Sequence, residues 1–264
     1  MLSVRRSALF TMRYLYLYKR SVARLMEVFY WPLMDLIVWG FITTYLLRYK
    51  SGLPEIVTFL IGALIMWDML FRSQQGLSIS FLEDMWSRNL VNIFVSPLRP
   101  GEYVLSLIMI GAFKLLLAST FMITVAIVFY HFNIFKIGLT LIPLVINLLV
   151  MGWAVGIVTM AIILRFGQEA EVMAWGIAFL FQPLSAVFYP VDVLPPVIQA
   201  IAKFVPASHI FEGMRHAITY KTYPSEHILW ASCLNVVYLL AAIGFFYFVF
   251  NKVKEKGLLT KVGE

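Results

Sequence analysis

Four side chains capable of chemistry crowd one short stretch. His209, Glu212, Arg215 and His216 all lie within VPASHIFEGMRHA, residues 205–217. The spacing His-x-x-Glu-x-x-x-His sets two imidazoles and a carboxylate on one face of a helix, the donor set of a metal site or of a membrane-embedded transferase or hydrolase. Geometry opposes the metal: from 209 to 216 a helix rises ~10 Å, too far for both rings to bind one ion at ~2 Å. No recognisable nucleophile arrangement accompanies them, and the patterns H-E-x-x-H, G-x-S-x-G and G-x-x-x-x-G-K-[ST] do not occur. The expectation is no catalytic residue, no metal and no ATPase in the chain itself. A self-satisfied polar face is the simpler reading, with Glu212 reaching Arg215 or His216 and Ser208 capping the helix after Pro206. Contact with a substrate headgroup is the functional alternative.

A second set consists of charges inside apolar stretches, Asp35, Asp68 and Lys114. Such charges are costly in a bilayer unless paired, and a long lysine can snorkel towards its partner. A Lys114 pair with Asp35 or Asp68 is therefore expected, and Asp68 and Arg72 are also i,i+4 partners. The competing reading is a proton or ion relay, as in an ion-coupled secondary transporter, although no internal repeat supports it. Cys233 stands alone, so neither a disulfide framework nor a cysteine-based zinc site is expected.

The elements that must hold these residues are membrane helices. In 264 residues, 61% are hydrophobic, 16% aromatic and only 13% charged, and the mean hydropathy is +0.86. That composition lies outside the soluble range. Six stretches are apolar enough, or nearly so, for the ~20-residue helix that crosses a bilayer: 28–47, 56–71, 103–130, 137–164, 172–191 and 228–250. The chain is thus expected to be an all-α polytopic membrane protein with six transmembrane helices and both termini on one side. Apart from Lys114, fourteen Lys and Arg fall on the side of the termini and six on the other, which makes the termini cytoplasmic. The net charge of +7 then reads as topology and contact with anionic membrane lipids, with no nucleic-acid partner.

Residues 1–26 are too charged to span. Tyr14, Leu17, Tyr18 and Val22 mark one helical face and Arg6, Arg13, Arg20 and Arg24 another, as in a helix lying in the interface. The segment lacks the compact apolar core of a cleaved signal peptide. Its Arg-rich start also resembles an organellar transit peptide, against which Glu27 and the immediate polytopic continuation argue. Between the second and third spans, Phe81, Leu82, Met85, Trp86, Leu90, Ile93 and Phe94 recur at helical spacing until Ser96-Pro97 and Pro100-Gly101 intervene. This predicts a helix over 81–95 that either caps the bundle or docks a cytoplasmic partner. Five prolines punctuate 190–226, yet VIQAIAKF and SHIFEGMRHAI are apolar, so a helix–turn–helix dipping into the outer leaflet is expected over 191–221. GWAVG, 152–156, has the spacing that lets helices approach closely.

With these features on the page, the chain resembles the permease subunits of ABC type-2 exporters. The resemblance rests on the basic interfacial helix, VSPLRPGEY, the run QPLSAVFYPVDVLPPVIQAIAKFVPASHIFEGMR, and the order of six spans, and it covers nearly the whole chain as one transmembrane domain, 1–264. It implies two permeases, here an identical pair, over two copies of a cytoplasmic ATPase that carries ATP and Mg. It implies that 81–95 is the coupling helix, presenting Glu83, Asp84, Trp86 and Arg88. Residues 3–25, with Arg13, Arg20 and Arg24, would be the gate or connecting helix, and 191–221 the outer re-entrant helices carrying His209, Glu212, Arg215 and His216. Tyr30, Trp31, Trp39, Phe188 and Tyr189 could line a substrate path, although aromatic belts use the same residues. The implied setting is the inner membrane of a prokaryote. The stretch before the first span lacks the Leu-Gly-x-x-Trp pattern of polysaccharide exporters, and PASHIFEGMR is nearer the drug and lipo-oligosaccharide branch. An amphipathic or lipid-like substrate is expected, with a lipid-linked polysaccharide or glycolipid as the alternative.

Overall fold

A computed structural model describes residues 3–49 and 54–256, and no strand occurs among them. The helices are α1 (Val4–Lys19), α2 (Val22–Tyr49), α3 (Pro54–Trp86), α4 (Leu90–Val95), α5 (Pro100–Tyr130), α6 (Leu141–Phe166), α7 (Met173–Leu184), α8 (Pro196–Ala202), α9 (Pro206–Tyr220) and α10 (Ser225–Glu255). Tight 3-10 turns cover Ile134–Thr140, Gly167–Ala170 and Val191–Val193. Of the lysines weighed for topology, Lys50 and Lys261 lie outside the described residues.

Among the described residues, four segments are long and apolar enough to cross a membrane: Arg24–Leu46, Pro100–Tyr130, Ile134–Ala170 and Ser225–Glu255. α3 is also long enough, 33 residues or roughly 50 Å, but carries Asp68, Arg72, Gln74, Gln75, Glu83 and Asp84. Its packing explains this. α3 lies against α6, α5, α2, α7 and α9, so from Phe59 to Met85 it faces protein almost throughout, where polar groups find partners. The stretch 172–191 is helical only over the 12 residues of α7, about 18 Å, short of the ~30 Å hydrocarbon core.

Glycines set the closest crossings. A Cβ added to Gly152 would sit 2.6 Å from the Leu70 carbonyl oxygen, and one on Gly156 3.0 Å from that of Gln74. GWAVG is therefore the seam between α6 and α3. Gly76 and Gly111 form the equivalent contact between α3 and α5. Two buried clusters result, one around Trp67, Met151 and Phe211 and another around Tyr14, Phe81, Tyr103 and Phe250, with α3 and α6 running through both.

Two expected helices are divided. Residues 1–26 are not one helix: α1 stops at Lys19, and the Ser21 hydroxyl accepts from the Arg24 amide to start α2, which runs on through Pro32. Likewise 81–95 is split, because Phe81, Leu82 and Met85 continue the buried face that Leu77 begins. α3 then closes at Arg88, in the left-handed region at φ 53°. The Asn89 amide reaches the Asp84 carbonyl and the Arg88 amide that of Met85, a Schellman closure.

Candidate functional site

The end of the bundle that carries the N-terminus is organised around Asp84. Its carboxylate is 2% exposed and accepts from the Tyr14 hydroxyl of α1, the Tyr103 hydroxyl of α5 at 2.9 Å, and the Arg13 guanidinium at 3.1 Å. Burial, reinforced by the charge of Asp84, pushes the Tyr14 phenol far above its usual range, so it remains a donor. A buried carboxylate is tolerated when its lone pairs are filled in this way. Further along α1, Ser7 and Thr11 donate to the carbonyls of Glu102 and Ser106. Glu102 accepts from the amides of Ser3 and Arg99, and Arg6 donates to the Pro97 carbonyl. α1 is thereby strapped to α5. Arg24 at the start of α2 pairs with Glu83 at 3.8 Å.

These contacts revise the expected roles. Glu83 and Asp84 do not face outward from the tip; they turn inward and hold α1 and α2, because they sit on the α3 side that those helices cover. Arg13 and Arg24 are correspondingly ion-paired, while Arg20 is exposed. What projects from the tip is Trp86, 45% exposed, Ser87, Arg88, Val91, Asn92 and Val95. The Trp86 indole donates to Glu171, beside the turn after α6, at 3.2 Å.

Above this node, a cavity of about 480 Å³ opens between α2, α3, α5 and α7. Glu27, Trp31 and Asp35 line it from successive turns of α2, Asp68 and Arg72 from α3, Lys114 from α5, and Trp175 and Phe179 from α7. The expected Lys114 pairing with an aspartate is not made. Asp68 is bound by Arg72 at 2.7 Å, and Lys114 donates to the Ser80 hydroxyl at 3.2 Å and lies 4.3 Å over the Tyr18 ring. Lys114 reaches back along α3 towards the α1 end, as a snorkelling chain does. Among the described residues Glu27 and Asp35 form no ion pair, which leaves their charge to the cavity. Apolar and charged walls together suit a ligand that has both characters.

At the opposite end, Arg215 is the organising group. Its guanidinium donates to the carbonyls of Ala186, Val187 and Tyr189, pairs with Glu212 at 2.8 Å, and covers the Phe59 ring at 4.4 Å. Glu212 also accepts from the Val191 amide at 2.7 Å. The Glu212–Arg215 pair expected from spacing is present and clamps 186–191 to α9. His209 donates instead to the Lys203 carbonyl at 2.9 Å and stacks with Trp230, and His216 lies against Tyr220 and His227. Ser208 does not cap α9; Val205 holds that position, and the Ser208 hydroxyl returns to the carbonyls of Ala202 and Val205.

The five aromatics expected to line one path are separated. Trp31 lines the cavity, with Tyr30 edge-on to it and facing outward. Trp39 stacks on Phe188 at 4.2 Å, and the Tyr189 hydroxyl donates to the Pro183 carbonyl, so these belong to the clamp end. Sequence reasoning missed Tyr14, Tyr103 and Glu102. Tyr14 was legible only as a member of the apolar face of α1, and nothing in the spacing linked α1 to α5.

A helical bundle with several membrane-crossing segments, a charged and aromatic cavity and an exposed helical tip defines a polytopic membrane transport protein. The chain belongs to the ABC-2 type transporter family, whose pattern matches residues 12–219; it is the transmembrane permease component of an ABC transporter and not itself the ATPase. No curated protein matches it. Membership implies work with a nucleotide-binding ATPase subunit.

Proposed function

We propose that the chain forms an exporter as one of two identical permeases in the inner membrane of a prokaryote, driven by two copies of a cytoplasmic ATPase that carries ATP and Mg. Both termini lie in the cytoplasm. The substrate is amphipathic or lipid-like and leaves the cytoplasm or inner leaflet through the cavity between α2, α3, α5 and α7. The observation that carries this reading is the lining of that cavity, where Glu27 and Asp35, without an ion pair among the described residues, lie beside Trp31, Phe71, Trp175 and Phe179. α2 supports the pairing of permeases: only 22% of its membrane window is buried within the chain, and Tyr30, Met34, Val38, Phe41 and Tyr45 are exposed along it.

The ATPase docks on Trp86, Arg88 and α4, which project from the bundle. The test is co-purification of the tagged permease with a P-loop ATPase, for the wild type and for Arg88→Glu and Trp86→Ala. Both variants should fold normally and lose the ATPase or its coupling to transport. A folded, dimeric permease that never carries an ATPase would overturn the reading. An ion-coupled carrier would then be the reading to pursue, although Asp68 and Lys114 are already occupied by Arg72, Ser80 and Tyr18.

A further inference from the structure

On the face of the bundle opposite α1, two lysines meet in one cavity. Lys136, in the turn after α5, and Lys221, at the end of α9, line a space of about 340 Å³ together with Asn133, Thr140, Thr222 and Tyr223. No carboxylate lines it among the described residues. Neither lysine forms an ion pair among the described residues, and Glu226, the next acidic residue along the chain, is absent from the lining.

The polar groups that remain favour an anion. The Asn133 side-chain oxygen is already occupied by the Phe135 amide at 2.9 Å, which leaves its NH2 group to donate. Thr140 and Thr222 supply hydroxyls that can donate as well. Two ammonium groups on the wall of one cavity set a positive potential that favours an anion. Lys221 also adopts the left-handed conformation, φ 54°, which glycine or asparagine would take at lower cost at a helix end.

The level of the cavity narrows the chemistry. Two candidate spans, Pro100–Tyr130 and Ser225–Glu255, end and begin beside the cavity, which is the level at which lipid phosphates lie, and Phe132, Ile137 and Ile218 add an apolar part to its wall. We infer that this cavity is a phosphate-binding site, in which Lys136 and Lys221 hold a phosphate mono- or diester assisted by Asn133 and the two threonines. The ligand is the headgroup of an anionic phospholipid or free phosphate. This inference does not depend on the export reading or on which side is the cytoplasm.

The test uses the full chain purified in neutral detergent. Native mass spectrometry counts phosphatidylglycerol retained against a phosphatidylcholine competitor, and equilibrium dialysis with radiolabelled inorganic phosphate forms the second arm. Lys136→Gln, Lys221→Gln and the double variant are compared with Lys203→Gln, an exposed lysine outside the cavity. Because both lining lysines are exposed, the variants should elute and unfold as the wild type does. The expected result is one tightly retained phosphatidylglycerol per wild-type chain, weakened about fivefold by each single change and more by both, with Lys203→Gln unchanged and arginine at 136 restoring binding. Saturable inorganic phosphate binding with the same variant pattern, and no preference for phosphatidylglycerol, assigns the site to free phosphate. Equal retention of both probes by wild type and double variant overturns the inference.

Discussion

Tyr14 of α1 donates its hydroxyl to the buried carboxylate of Asp84 on α3, across 70 residues of sequence. Because Tyr103 and Arg13 share the same carboxylate, the position of α1 is tied to the end of α3 immediately before the exposed tip. α1 and the end of α3 are thereby joined through a shared hydrogen-bonded carboxylate. Tyr14→Phe removes one donor and should cost about 1–2 kcal/mol, whereas Asp84→Ala leaves two buried phenols and a guanidinium unmatched and should cost more, about 3 kcal/mol or above. Thermal unfolding in detergent reads the loss. Hydrogen exchange should place it in α1, with the α6–α10 contact unaffected, and a double-mutant cycle should give a coupling of at least 0.5 kcal/mol. Additive effects with uniform exchange would show that the node is not a coupled unit.

The ion pair at the cavity wall makes a different prediction about rescue. Asp68 is bound to Arg72, so Asp68→Asn leaves a largely buried guanidinium without this partner. Yield and unfolding temperature should fall with Asp68→Asn and recover with Arg72→Gln added, while Lys114→Met should give no recovery. Recovery through Lys114 would restore the pairing that the sequence alone suggested and remove the Ser80–Tyr18 assignment.

The contrast between those two pairings shows what the sequence made legible. Local spacing carried through for several pairs within one helix, Glu212 with Arg215 and Asp68 with Arg72, and for the glycines of GWAVG on one face of α6, though not for the Ser208 cap. It failed where the partner came from elsewhere in the chain. Glu83 and Asp84 look like surface charges because the helix over 81–95 was read as isolated. In fact α3 continues to Trp86 and presents them to α1 and α2. The polarity of α3 misled in the same way, since hydropathy assumes lipid around a helix and α3 is surrounded by protein. Cavity walls depend on four helices at once, so Glu27 and Trp175 carried no signal of their own.

Glycine substitutions test whether the α3 crossings are as close as they stand. Gly152→Val must displace α3, since the clash is with the Leu70 carbonyl oxygen and the Ser73 Cβ, neither of which is the far end of a flexible side chain. Overpacking of this kind costs typically 1–3 kcal/mol. Gly244→Ala, with nothing within 4 Å of the added Cβ, should be neutral or slightly stabilising by helix propensity. If fluorescence-detected gel filtration after heating shows both variants equally stable, the α3–α6 seam is looser than the structure gives it.

Arg215 is the strongest test of the clamp, because one side chain holds three carbonyls, an aromatic face and a carboxylate. Lysine keeps the charge but not the planar fork that reaches several acceptors at once, so Arg215→Lys should loosen 186–191 partially and Arg215→Ala fully. The reporter is a cysteine placed at Phe188, which stacks on Trp39 when the clamp is shut, in a background where the exposed Cys233 is replaced by serine. Losing the clamp by about 1.4 kcal/mol raises the open population tenfold, so maleimide labelling of that cysteine should quicken about tenfold in Arg215→Ala, with the lysine variant between. The same Arg215→Ala change should leave the Asp84 node intact and the ATPase bound. An increase in labelling confined to this end would separate the clamp from the coupling tip, while loss of the ATPase in the same variant would show that the two ends are one mechanical unit.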